Sequence, residues 1–132
     1  MREGLEVFNL LWVALGGALG GMGRLAVTNL FSHWLGVRFP WGTLMVNLSG
    51  AFLAGWLAAR FGIPTGLDFS SAWLALVVGL LGGYTTVSSF SLQTLTLWQS
   101  GQTHRAVFYL VASILLGLAL VLLGWSLAGG HL

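Results

Sequence analysis

Apolar residues run almost unbroken through four stretches of the chain, residues 7–31, 41–61, 71–97 and 104–128. A helix that crosses a bilayer needs about 20 mainly apolar residues, so each stretch predicts one span. The connections "SHWLGVRFP" (32–40), "GIPTGLDFS" (62–70) and "SGQTHR" (100–105) collect glycine, proline and most of the charge, as turns do. Four spans take up nearly all of residues 1–132, leaving a single transmembrane domain and no soluble one. The first stretch is too long for the core of a cleaved signal peptide, and Glu3 and Glu6 dilute its basic start, so it is expected to stay in place.

Composition agrees with the pattern. Of 132 residues, 57% are hydrophobic and 6% charged, far outside the range of soluble globular domains. The five basic residues, all arginine (Arg2, Arg24, Arg38, Arg60 and Arg105), are scattered, whereas a phosphate backbone requires a clustered basic face; no nucleic acid is expected as a partner. With no cysteine, thiol nucleophiles and disulfides are excluded. His33, His104 and His131 fall at segment ends without the paired spacing of a metal-binding helix. No nucleophile–base pair or phosphate-binding loop is present, so no catalytic residue is assigned and no enzyme is expected.

Tryptophans gather at membrane interfaces. Here Trp12, Trp56, Trp73 and Trp125 fall on the N-terminal side, and Trp34, Trp41 and Trp98 on the other. Arginines set orientation through the short loops, yet Arg2 and Arg60 on one side nearly balance Arg38 and Arg105 on the other, with Arg24 near that end of its helix. A chain without a clear bias is expected to insert both ways up, and two opposed copies then pair as an antiparallel dimer.

Polar side chains inside a span are costly and mark function by default. The second stretch aligns Thr43 and Asn47 with Gly50 and Ala54 on one stripe, and the fourth aligns Tyr109, Ser113 and Gly117 at four-residue spacing. The first holds Gly16/Gly20 and Gly17/Gly21, with Gly23 beyond, a spacing that lets helix backbones approach. The third carries "GGYTTVSSFS" (82–91). Glycine and threonine are poor in helix interiors, so this run predicts an interruption. Freed carbonyls at membrane depth can bind a cation; equally, serine and threonine can close a kink by bonding to their own backbone.

No Asp or Glu lies inside the four stretches. A proton-coupled exporter generally needs an ionisable group at depth. Uncharged donors instead suit an anion that must pass without being trapped, and the positive edge of the Phe90 ring adds to them.

The landmarks "GGALGGMGR" (16–24), "WGTLMVNLSGAFLAG" (41–55), "GLLGGYTTVSSFSLQ" (79–93) and "YLVASILLG" (109–117) appear in this order over almost the whole chain. In these motifs the chain resembles the Fluc (CrcB) fluoride channels. The resemblance implies an all-α membrane protein of four transmembrane helices, the third broken, assembled as an antiparallel dual-topology dimer in the cell inner membrane, where it lets fluoride leave the cytoplasm passively. It also implies a structural Na+, not transported, held by the backbone carbonyls of Gly82 and Thr85 of both copies. Asn47, Ser113 and Phe90 match the polar track and aromatic box of the fluoride path, with Thr43, Tyr109, Ser88 and Val87 beside them and Arg24 at the vestibule. Departures are Val87 and Tyr84 where phenylalanines are usual, Ser89 for a threonine and Gln93 for a glutamate. Val87 removes one ring of the box, which leaves a heterodimer with a paralogue as the alternative to a homodimer. A small dual-topology proton-coupled multidrug exporter and a non-conducting assembly protein are the competing functions.

Overall fold

The computed structural model describes residues 2–66 and 68–131; Met1, Leu67, Leu132 and the side chain of Arg2 lie outside the described residues. The four apolar stretches become α1 (Arg2–Leu35), α2 (Trp41–Phe61), an interrupted third span made of α3 (residues 71–84) and α4 (Val87–Gln99), and α5 (Thr103–Leu127). All four spans are long and apolar enough to cross a membrane. The first exceeds its sequence bounds: 34 residues at 1.5 Å each make about 51 Å of helix, against a hydrocarbon core of about 30 Å. Its first turns carry Glu3 and Glu6, both exposed, where carboxylates suit the positive end of the helix dipole. Trp12 therefore sits well inside α1 rather than at its end.

Turns follow the glycines. Gly36 (φ +81°) closes α1, with its amide bonded to the Ser32 carbonyl at 3.0 Å, and Gly101 (φ +79°) turns the chain between α4 and α5.

Two helix pairs form the bundle, α1 against α3 and α2 against α5, with α1 also crossing α2. Both seams are backbone to backbone. A methyl at Gly16 would run into the Ala75 carbonyl, one at Gly20 into that of Leu80, and one at Gly83 into that of Gly17. Across the other seam, Gly55 abuts the Val121 carbonyl and Gly124 that of Phe52. Without a hydrophobic force between helices in lipid, such close approach is what associates them. The second glycine row divides: Gly17 backs onto Gly83, whereas Gly21 faces open space.

The core at one end of the bundle is built from Phe39, Leu44, Leu48, Leu97, Ala106 and Tyr109. Elsewhere, exposed leucines along α1 and α5 form the apolar exterior that lipid or another chain would cover.

Residues 74–81 of α3 are wound as a π-helix, a feature the sequence pattern did not predict. The interruption itself falls on Thr85 (ψ +159°) and Thr86 (φ −150°, ψ +126°), both extended. Gly82 and Gly83, expected to unwind with them, remain helical. At Gly83 the physical reason is the seam, because its lack of a side chain admits the backbone of α1.

Candidate functional site

At the break, α2 lies directly against the third span. Gly50 makes this approach, since a methyl there would strike the Thr85 side chain. One turn earlier, Asn47 reaches Thr86 with its whole amide: Nδ2 donates to the Thr86 carbonyl at 2.9 Å, and the Thr86 amide donates to Oδ1 at 2.8 Å. Thr86 is buried, so leaving these two backbone groups unpaired would cost about 1–3 kcal/mol each. Hydroxyls close the rest. Thr85 Oγ1 donates to the Leu81 carbonyl at 2.8 Å, and Thr86 Oγ1 accepts from the Ser89 amide at 3.1 Å, capping α4. Ser88 Oγ lies 3.2 Å from Thr86 Oγ1, on an exposed position. On the other flank, the hydroxyls of Tyr84 and Ser49 meet at 2.9 Å, a second tie from α2 to the break.

This bonding leaves carbonyls free. In a continuous helix, the Thr86 amide would bond to the Gly82 carbonyl and the Ser89 amide to that of Thr85. Asn47 takes the first donor and Thr86 Oγ1 the second. Among the described residues, no other backbone amide outside the helices replaces them.

Gly82 and Thr85 line a groove of about 500 Å³ together with Asn47, Val87, Phe90 and Ser113. Ser113 Oγ is buried there and, among the described residues, has no hydrogen-bond partner. Asn47 retains its second Nδ2 hydrogen, since an amide has two and Thr86 takes one. Val87 is 77% exposed and contributes no ring to the wall.

Thr43 and Tyr109 belong to a second cluster. Tyr109, with no exposed surface, donates to Gln93 Oε1 at 2.9 Å, and Gln93 Nε2 donates to Thr43 Oγ1 at 3.0 Å. Thr43 and Gln93 stand in the wall of a separate polar pocket of about 490 Å³, which also meets Thr28, Ser32, Arg38 and Ser100. Phe90 joins the two clusters, its ring 5.2 Å from that of Tyr109 at 54°. Arg24 is half-buried on α1, one turn before Thr28, and lines neither cavity.

Sequence reasoning noted Gln93 only as a departure and did not place it in the site. Its signal was available: a carboxamide within an apolar stretch, three residues after Phe90 and so on the same helical face. The Ser49–Tyr84 tie carried no such signal, because Ser49 lies off the Thr43–Asn47 stripe.

A structural Na+ is testable against these residues. Among the described residues, no three of His, Asp and Glu converge, so an ion at the break would meet neutral oxygens. The freed carbonyls of Gly82 and Thr85 are hard donors of that kind. They fit such an ion, but a pair of carbonyls is fewer ligands than a cation takes, so a second chain would have to add its own.

Comparison with known proteins gives a consistent result. The family model of CrcB-like proteins, Camphor Resistance (CrcB), matches residues 11–125. A fluoride-specific ion channel FluC of Thermus thermophilus is 47% identical over 119 residues, covering 90% of this chain and 94% of that protein. FluC 2 of Rhodopseudomonas palustris is 45% identical over 130 residues, covering 97% of each. FluC of Nitrobacter winogradskyi is 43% identical over 115 residues, covering 87% and 90%. The family is one of ion channels rather than enzymes, and four apolar spans make this member a multi-pass membrane protein. With its model matched across all four spans and relatives above 40% identity over most of both chains, the protein belongs to the CrcB family.

Proposed function

We propose that the protein is a fluoride channel of the cell inner membrane that lets the anion leave the cytoplasm down its electrochemical gradient and so lowers fluoride toxicity. The observation that carries this reading is the groove at the break, where the unpartnered Ser113 hydroxyl, the spare Asn47 N–H and the Phe90 ring converge without a formal charge. These groups can replace part of the hydration of a small anion. A cationic side chain projecting into the path would hold it instead. From the groove, the contacts continue through Phe90 and Tyr109 to the Gln93–Thr43 pair and its polar pocket. Ser88 flanks this route, Val87 forms an apolar part of its wall, and Arg24 raises the local anion concentration from α1.

The active unit in this reading is an antiparallel homodimer. Near-balanced arginines support dual topology, and the open groove supports a second chain as its missing wall. Two opposed copies also bring four carbonyls, from Gly82 and Thr85 of each, to hold one Na+. Enclosed by those carbonyls, the ion would brace two breaks that lack their helical bonds.

Purified protein in liposomes loaded with fluoride tests the proposal. Efflux is expected when a potassium ionophore relieves the charge imbalance, with no proton gradient imposed. Efflux that demands a proton gradient would favour the multidrug-exporter class, and absence of flux the assembly protein.

A further inference from the structure

The end of the bundle where α1 stops and α2 and α5 begin carries a third hollow, of about 490 Å³, which adjoins the polar pocket at Arg38 and Phe39. Its rim is basic: Arg38, His104 and Arg105. Its floor is aromatic. Buried Phe39 pins the connecting turn, with ring centroids 4.6 Å from Trp41 and 5.7 Å from Phe108. Arg105 gives one guanidinium donor to Gln102 Oε1 at 2.8 Å, which orients it and leaves its remaining donors open.

Among the described residues neither arginine has a carboxylate side chain nearby. All three carboxylates, Glu3, Glu6 and Asp68, belong to the opposite end of the bundle, at the start of α1 and in the connection between α2 and α3. Gln102 also leaves the start of α5 without a side-chain cap, adding partial positive charge beside His104 and Arg105. Two uncompensated arginines above an aromatic floor, at the end of three spanning helices, lie at headgroup depth. A phosphodiester meets the arginines there, while its glycerol and upper acyl carbons meet the rings.

We infer that this hollow binds the phosphate of an anionic phospholipid, one per chain. The inference rests on the membrane-spanning fold and not on fluoride conduction. Native mass spectrometry of the full-length protein in neutral detergent tests it, with dioleoylphosphatidylglycerol and dioleoylphosphatidylcholine as probes. Phosphatidylglycerol should be retained at one molecule per chain and phosphatidylcholine lost. A basic side chain near anionic lipid contributes about fivefold in affinity, so Arg38→Gln should weaken retention about fivefold and Arg38→Gln with Arg105→Gln about thirtyfold. Arg60→Gln, at the other end, should change nothing. Equal retention of the two lipids, or no loss in Arg38→Gln, overturns the assignment. So does an equal loss in Arg60→Gln, which would mark a general charge effect. Competition by soluble glycerol phosphate at the lipid's own concentration would assign the hollow to a free anion instead.

Discussion

The α1–α3 seam and the contact of α2 with the break in the third span are both close approaches, yet they are made in opposite ways. In the seam, glycines bring backbone against backbone, and each helix keeps its own hydrogen bonds. At the break, one glycine admits Thr85, and then Asn47 takes over bonds that the third span has given up. The seam is closely packed and internally complete. The break is held in place but left with open carbonyls and, across the groove, an unpartnered hydroxyl. The difference separates residues that assemble the bundle from residues whose polar groups remain available to an ion.

The most damaging changes should be in the seam. Gly20→Ala pushes a methyl into the Leu80 carbonyl, which cannot rotate away, and should cost about 3 kcal/mol, the upper end for overpacking. Thermal unfolding in detergent reads this loss, and Gly21→Ala, facing open space, should stay within about 1 kcal/mol of the parent. Next comes the clasp. Asn47→Ala strips both partners from Thr86 and, because water entering the open groove can rehydrate them in part, should cost about 2 kcal/mol, the lower end for two unpaired groups, as well as fluoride flux. Asn47→Asp retains an acceptor for the Thr86 amide but sets a carboxylate oxygen against the Thr86 carbonyl and a negative charge beside the path. Flux measured at matched folded protein should fall in this variant too. Smaller again, Tyr109→Phe removes one buried bond to Gln93 and should lower stability by about 1 kcal/mol in the same unfolding assay. Thr86→Ala loses the cap on Ser89, also worth about 1 kcal/mol.

Much of this arrangement was legible in the sequence because membrane spans obey a simple length rule and polar residues at depth stand out. The four helices and an interruption within residues 82–91 follow from those signals, whereas the grouping of Asn47, Phe90 and Ser113 came only from the resemblance to the fluoride channels. The glycines beside the break were misread, since propensity describes an isolated helix and Gly83 answers to the backbone of α1. The π-winding over residues 74–81 left no trace in a uniformly apolar run. Gln93 was passed over because its two partners come from helices far along the chain.

The sharpest test of the comparison is fluoride efflux from liposomes carrying Ser113→Ala beside the parent protein. The buried hydroxyl makes no bond within the described residues, so its loss should not lower thermal stability and should leave it equal to or above the parent's. Flux should fall about tenfold or more, the worth of one hydrogen bond to a charged partner. Undiminished efflux from this variant would contradict the assignment of the groove as the anion's path.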